Sequence, residues 1–434
     1  MLKKIIALKS MDQSLKKKVL VYTPENLSQL ISLYKENYIP MGSAYSYIAA
    51  SFNDNTPSID LSKLNRILSY SRDEKLIEVE SGCTLRKIYN ITAKDLLIIP
   101  VMPGHSDITI GGCIAVNIHG KNHYREGSFK NHVLSIKLLN SNGDIIEVHN
   151  GEEAFEKTLG GFGQTGLIIS AKVTLKRVHS LTLEETVIRV KNIKETVRKM
   201  KSMSDTYDYM YSWNDLTSSR HLGRGAIIAS KLQKEDDLIF KQIPVLRNLQ
   251  QLSLFNRVPF ALLNKFLSPL LNQLYYLKEL KNRVFYCSYE ESIFPIHQKS
   301  FYYGLHGKRG FLEMQSIIPY DVWEQYIDEF LNVYKTSEEL IHLFSIKLFS
   351  GDGRYIQFDG EGVGLSFDLP NTKNAQEFLA SIDKLNIKHS VKTNISKDSR
   401  LPREVIEKTY PEFNDFQENL EKKNTGTHLA NLFT

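Results

Sequence analysis

Eleven of the 24 glycines in this 434-residue chain fall between positions 104 and 166, about three times the share an even spread would give. Glycine is required where φ is positive or where backbone approaches a ligand closely. A window this dense folds as a series of sharp turns, and it is the first place to look for a site. It also holds five of the twelve histidines. The flanking pattern reads as short strands, hairpins and few helices. Leu27, Leu30, Ile31 and Tyr34 have helical spacing, so a helix is expected over 24–37, capped by Thr23 with Pro24 at its first position. Ile39-Pro40-Met41 and Leu76 to Glu80 read as strands, and Thr84 as the cap of a helix from Leu85 to about Thr92. Val133 to Leu139 and Asp144 to Val148 flank Asn142-Gly143, a hairpin signal. Apolar and polar residues alternate from Leu167 to Leu175, which predicts a half-buried strand.

The rest of the chain sets the bounds. At roughly 150 residues per domain its length predicts two or three domains. Charged residues are 24% and apolar residues 42%, the composition of a globular α+β protein rather than a disordered or membrane-spanning one. The net charge of +6 is mild for this length and gives no reason to expect nucleic acid. Cys83, Cys113 and Cys287 are too few and too scattered for a disulfide framework or a zinc site, so no metal is expected and a reducing compartment is. The N-terminus opens like a signal peptide, but Ile5-Ile6-Ala7-Leu8 is too short an apolar run and lysines follow it. With no window of ~18 apolar residues, a cytoplasmic protein is expected, with room for peripheral contact on the inner face of a membrane. Residues 1–178 form the expected first domain and 179–391 a second α+β domain. Its helices are expected near 191–204 and 320–335, and its strands near 184–190, 226–229, 311–318, 343–349 and 364–369. Residues 392–434 return to short helices.

Three loops carry the chemical signal. Gly42-Ser43-Ala44-Tyr45-Ser46-Tyr47 is a small-residue turn after a strand, able to offer consecutive backbone N–H groups to a phosphate. The second loop runs from Pro103-Gly104 through Ile110-Gly111-Gly112, Ala115 and Asn117-Ile118-His119-Gly120 to Lys121-Asn122-His123. Its three sharp backbone features in about twenty residues suit close packing against a flat or extended ligand. The third is Gly160-Gly161-Phe162-Gly163-Gln164-Thr165-Gly166-Leu167-Ile168. Its spacing superficially matches a dinucleotide fingerprint, but it follows a helix and opens a strand, the reverse of what that fingerprint needs.

These three loops, in this order, resemble the FAD-linked oxidases of the vanillyl-alcohol oxidase and p-cresol methylhydroxylase type. The resemblance is nearest the decaprenylphosphoryl-ribose 2-oxidase branch. It extends through Gly127-Ser128-Phe129, Asn131-His132-Val133, Trp213-Asn214-Asp215, Leu222-Gly223-Arg224, Gly310 to Gln315, Lys347 and Lys397-Asp398-Ser399-Arg400. It implies a two-part FAD-binding domain, with a substrate (cap) domain inserted and the C-terminal segment rejoining the first part. The three loops, with Gly161, Gly163, Gly166 and Ile168 from the last, are the implied cofactor contacts. Because Tyr45 stands where some relatives attach FAD through a histidine, non-covalent FAD is expected.

The implied chemistry is alcohol oxidation: a carbinol C–H gives hydride to the flavin while the hydroxyl proton leaves. Lys397 is implied at the substrate hydroxyl, and His119 and Lys121 alongside the flavin. Gln315 and Lys347 fall at substrate positions. Read alone, a lysine in a Lys-Asp-Ser-Arg string is a solvated surface residue. Three positions depart from close relatives: Asn394 replaces a tyrosine, Ser366 a cysteine and Glu313 a glutamine. These put the sugar, not the cofactor, in question.

The leading expectation is oxidation of a secondary sugar hydroxyl to a ketone, on a polyprenyl-phosphate-linked pentose or related carrier. This would be the oxidative half of an epimerisation in cell-envelope polysaccharide synthesis, with an NAD-dependent short-chain reductase as partner. A soluble alditol or aldonolactone oxidase and a non-catalytic flavin-binding scaffold are the alternatives. Charge bears on where the substrate is met. Residues 1–21 carry +5 and residues 241–285 carry +6, leaving −5 for the remainder. In the second segment Leu263, Leu267, Leu270, Leu274 and Leu277 recur every three or four positions, and Pro269 is expected to kink or split the helix. Such a segment reads either as a helix covering the core or as a surface that meets anionic lipid.

Overall fold

The computed structural model describes residues 1–34, 38–234, 261–278, 280–295, 297–418 and, singly, 420, 426, 429 and 432. The lysine-rich N-terminus is a hairpin of β1 (Leu2–Lys9) and β2 (Lys16–Thr23). Two short parallel strands, β3 (Ile39–Met41) and β4 (Ser58–Asp60), extend it in the order β1-β2-β4-β3. The next sheet is antiparallel, ordered β5-β6-β10-β8-β9, from β5 (Ile67–Ser71), β6 (Leu76–Glu80), β8 (Val133–Leu139), β9 (Ile145–His149) and β10 (Leu167–Thr174). A minimal pair, β7 (Leu97–Ile98) with β11 (Lys176–Arg177), lies outside it. The helices Leu85–Thr92 and Ile110–Ala115 contribute Leu85, Ile88, Tyr89, Ile110, Cys113 and Ile114 to its core.

Two four-stranded antiparallel sheets follow. One is ordered β13-β14-β12-β15, from β12 (Thr182–Val190), β13 (Tyr209–Asp215), β14 (Arg224–Leu232) and β15 (Arg283–Ser288). The other is ordered β17-β18-β16-β19, from β16 (Phe311–Ile318), β17 (Leu343–Phe349), β18 (Gly362–Pro370) and β19 (Lys392–Thr393). In the last sheet the period-2 rule separates two chemistries. Leu312, Met314, Phe344, Ile346, Leu348, Leu365, Phe367 and Leu369 pack against Tyr326, Phe330, Phe378 and Ile382 of the helices Trp323–Thr336 and Lys373–Lys388. The register places Glu313, Gln315, Ser345, Lys347, Ser366 and Asp368 on the opposite face.

Several expectations are corrected. The first helix is Leu27–Tyr34, and Asn26 Oδ1, not Thr23, accepts from the amide of Gln29 at 3.0 Å. Thr23 is taken by β2, where it pairs with Leu2, and this leaves Pro24 outside the helix. The strand β10 is buried on both faces from Leu167 to Ala171 because it is central in its sheet. Pro269 neither kinks nor splits its helix, which runs as Leu267–Lys278. The proline sits in the first turn, where its missing N–H has no intrahelical acceptor to lose. Residues 241–260 of the basic segment lie outside the described residues, as does most of the C-terminal tail. Leu429 and Leu432 are buried with Ile48, Phe162 and Tyr410, so these two leucines pack beside the first and third loops. The core of the second sheet runs across position 178 to include Leu181, Leu183, Tyr289 and Phe294.

Candidate functional site

The three loops converge. Ser43 Oγ donates to the carbonyl of Asp107 at 2.5 Å, and the rings of Tyr45 and His105 lie 4.2 Å apart. The amides of Gly160 and Phe162 donate to the carbonyls of Ile114 and Ala115 at 2.9 and 2.7 Å. Three non-glycine residues adopt left-handed backbone here: Ala44 (φ 57°), Asn117 (φ 43°) and Phe162 (φ 53°). Such conformations cost on the order of 1 kcal/mol each and gather where a site over-determines the backbone.

The structure also offers a fit test for a bound diphosphate. None of the six successive backbone N–H groups of residues 42–47 donates to an acceptor among the described residues. A run of free amides in a turn is an anion cradle. Gly104 and Gly163 border open space, so a ligand can approach the backbone there. The residues fit FAD. Not every implied contact faces that space. Ile110 is fully buried, with its amide on the Cys83 carbonyl. Gly166 abuts the Leu139 carbonyl, and Ile168 pairs with Leu138 in the sheet. Asn122 is buried with its amide on the Pro100 carbonyl at 2.8 Å.

The polar face of the last sheet meets these loops. Lys397 Nζ lies 3.2 Å from Glu313 Oε1 and 3.6 Å from the centroid of the Tyr47 ring. Ser366 donates to the same Glu313 oxygen at 3.4 Å. Lys397 is brought there by a turn on Asn394, whose carbonyl accepts the Lys397 amide. Arg400 locks that turn by bridging Asp398 and Asp383. The Lys-Asp-Ser-Arg string is thus an anchored turn, not a solvated one.

A second chain of contacts fixes His119. The Asn394 side-chain amide donates to Gln315 Oε1 at 2.9 Å, which leaves the Gln315 amide nitrogen 2.8 Å from His119 Nε2. With Gln315 as donor, His119 Nε2 is an acceptor and the ring is neutral. Burial, then the charges of Lys347, His123 and Lys397, push its pKa well below that of free histidine, in agreement. Burial and the Lys397 charge lower Lys347 to about 8. Lys121 departs from this group. Its Nζ donates to the Ser292 carbonyl at 2.6 Å and lies 4.3 Å from the Tyr211 ring, and burial lowers its pKa against the opposing pull of Glu185.

Asp368, Tyr302, Tyr303 and Asp359 carried no sequence signal of their own. Asp368 lies directly across from Glu313, and burial followed by the Glu313 charge raises its pKa well above the carboxylate range. Tyr302 donates to Asp368 at 2.9 Å, and the Tyr303 and Tyr47 hydroxyls meet at 3.2 Å. His123, fully buried, places Nε2 3.0 Å from Asp359, which also accepts from Ser128 at 2.6 Å. The strand alternation in Glu313-Met314-Gln315 could have pointed to Asp368 once β18 was paired with β16. The tyrosines and the His123–Asp359 pair have no such pattern.

An anion cradle of glycine-rich loops facing a lysine-bearing sheet defines an FAD-linked oxidoreductase. Residues 17–149 match the FAD binding domain family, and the α+β fold is consistent with that of the FAD-linked oxidases of the vanillyl-alcohol oxidase and p-cresol methylhydroxylase type. Along most of its length it is similar to decaprenylphosphoryl-beta-D-ribose oxidase of Mycolicibacterium smegmatis, with 28% identity over 390 residues, covering 85% of this chain and 83% of the relative. Shorter similarities link it to D-lactate dehydrogenase of Anaerostipes hadrus, 26% identical over 37% of this chain and 34% of that one. Another is L-gulonolactone oxidase of Bos taurus, 30% identical over 30% and 29%. Among the described residues no helix is long and apolar enough to cross a membrane.

Proposed function

We propose that this FAD-dependent oxidoreductase converts a secondary hydroxyl of a sugar to a ketone. The sugar is a polyprenyl-phosphate-linked pentose or a related glycosyl carrier. The reaction is the oxidative half of an epimerisation in cell-envelope polysaccharide synthesis. An NAD-dependent short-chain reductase then reduces the ketone from the other face. The observation that carries this reading is the convergence of Lys397, Lys347, His119 and Gln315 on one side of the FAD loops. The similarity to the mycobacterial ribose-lipid oxidase over 85% of the chain supports the same substrate class.

When bound, the flavin accepts the hydride that leaves the carbinol carbon. The chain's own residues do the rest. Residues 42–47 hold the diphosphate with backbone amides, and Tyr45 in that loop supports non-covalent attachment. Lys397 Nζ, held by Glu313 and Tyr47, orients the substrate hydroxyl and stabilises the alkoxide as it forms, and the hydroxyl proton leaves to the Glu313 carboxylate or to water. His119, held neutral by Gln315, packs against Phe349 at 5.1 Å and helps exclude water. Lys347 supplies positive charge for an alkoxide or a phosphate.

Glu313 favours a second reading. A carboxylate beside Lys397 repels a nearby anion and suits a neutral, hydroxyl-rich substrate, such as an alditol or aldonolactone. Anaerobic bleaching of the flavin against glycosyl phosphates, polyols and lactones separates the two. Bleaching by the glycosyl phosphates alone is expected. Bleaching by polyols or lactones alone replaces the first reading with the second. No bleaching by any of them leaves a flavin-binding scaffold. Acid precipitation is expected to release yellow cofactor, and flavin retained in the pellet overturns non-covalent binding.

A further inference from the structure

The helix Leu267–Lys278 is amphipathic the wrong way round. A surface helix of a globular protein buries its apolar stripe and shows its polar side to water. Here the polar side faces in. Ser268 is 3.0 Å from His342 Nδ1, Asn272 donates to Asp215 at 3.2 Å, and Gln273 accepts from Arg224. Tyr275 packs edge-on against Trp213. The apolar side faces out. Phe266 is 91% exposed, Leu270 54%, Leu274 53% and Leu277 49%. These four recur at spacings of four, four and three, so they form one stripe along the helix.

Four of the five charged residues between positions 261 and 285 are basic, Glu279 being the exception. Lys265 precedes it, Lys278 ends the helix, and Lys281 and Arg283 follow. All four are exposed, and none forms an ion pair with a described residue. In the turn that holds Leu277 and Lys278, Tyr276 forms a wall of an open cleft of about 460 Å³. Arg189, Lys191, Lys199, His221 and Arg224 line the cleft, with Glu195 the one carboxylate among its lining residues. Arg189 and Arg224 both stack on the Tyr276 ring, at 4.4 and 4.6 Å.

We infer that this helix is a membrane-docking surface: its outward leucine stripe enters the headgroup boundary of a bilayer rich in anionic lipid, and the flanking cations bind the lipid charge. An exposed apolar stripe with cationic flanks is the pattern of an interfacial helix. A second protein surface would need carboxylates to match this excess of cations, whereas an anionic bilayer supplies both the charge and the apolar layer. The position suits the proposed reaction. Ser268 meets His342, the His342 ring lies 5.6 Å from that of His306, and His306 lies 5.1 Å from Tyr302, which reaches Asp368 in the site.

The test is co-sedimentation of the FAD-loaded protein with vesicles of phosphatidylcholine alone and of phosphatidylcholine with 30% phosphatidylglycerol. Expected is binding to the anionic vesicles at least tenfold above the neutral ones, weakened at 0.5 M salt. Leu270→Gln/Leu274→Gln/Leu277→Gln is expected to lower it at least fivefold, as is Lys265→Gln/Lys278→Gln/Lys281→Gln/Arg283→Gln. Both sets change outward side chains, and an unaltered melting temperature and flavin spectrum verifies the fold. Equal binding to both vesicle types, no binding, or unchanged binding by the leucine variant overturns the inference. So does a wild-type dimer that the leucine variant dissolves, because a second copy is then the occupant. The assay reads no turnover, so its failure leaves the proposed oxidation standing.

Discussion

Glu313 and Lys397, 84 positions apart, form an ion pair at 3.2 Å. One belongs to the polar face of β16 and the other to a turn after β19. Both are held by hydrogen bonds that do not depend on the pair itself. Asn394 sets the turn, and Ser366 also reaches the carboxylate. In the proposed reaction the pair sets where the substrate hydroxyl is met.

Replacing Lys397 by Ala removes the amine while leaving the three FAD loops untouched. Flavin reduction by the substrate is expected to fall at least 100-fold, within the range for loss of a group that stabilises a developing oxyanion. Cofactor content, read from the flavin absorbance, is expected to stay within a few per cent of wild type. A parallel loss of flavin would assign Lys397 to cofactor binding instead.

Glu313→Gln removes the negative charge facing a phosphate-bearing substrate. The expected outcome is a KM for glycosyl phosphates lowered about three- to tenfold, with KM for neutral polyols unchanged or raised. Steady-state measurements on both substrate classes check it. A rise in KM for the phosphates would mean that Glu313 binds sugar hydroxyls.

Gly42→Ala tests the cradle. A Cβ there would sit 2.3 Å from Thr109 Oγ1, the atom that caps the helix Ile110–Ala115 by accepting from the Gly112 amide. Displacing Thr109 costs about 1 kcal/mol of capping. The expected result is reduced flavin occupancy after purification and a melting temperature lower by a few degrees.

His306 gives the pH prediction. It is 2% exposed, and neither ring nitrogen has a hydrogen-bond partner among the described residues. Burial, then repulsion from His342, pushes its pKa well below the free value. A group depressed in the folded state favours folding above its unfolded pKa, about 6.5, and that stability is lost as pH falls. His306→Phe should therefore flatten the loss of stability below pH 6.5. It should also raise stability by about 1–2 kcal/mol at pH 7 by removing unpaired polar atoms. Thermal melts from pH 7.5 to pH 4.5 measure both effects. A steeper acid decline in the variant would contradict the assignment.

Local order and chemistry were legible wherever short-range rules decide them. Thr84 caps its helix as expected, accepting from the Lys87 amide. The Asn142-Gly143 hairpin pairs β8 with β9. Neighbours in space override such rules elsewhere, as when pairing with Leu2 takes Thr23 into a strand. The site shows the same division. Glycine density marked the three loops that converge, while Gly166 packs on the Leu139 carbonyl and Ile168 pairs with Leu138 in the sheet. The resemblance supplied Lys397 and Gln315, but neither spacing nor composition implied that Asn394 orients Gln315 and so sets the protonation of His119.

By itself, then, the sequence determined the turns, the period-2 strands and the residue types available for catalysis, because these follow from φ preferences and from alternation along a strand. The tertiary structure alone decided which charges meet. Lys397 beside Glu313, Lys121 drawn off to Ser292, and a leucine stripe turned outward depend on which strands pair and on which helix face finds polar partners. Those contacts form between positions far apart in the chain, where no local pattern records them.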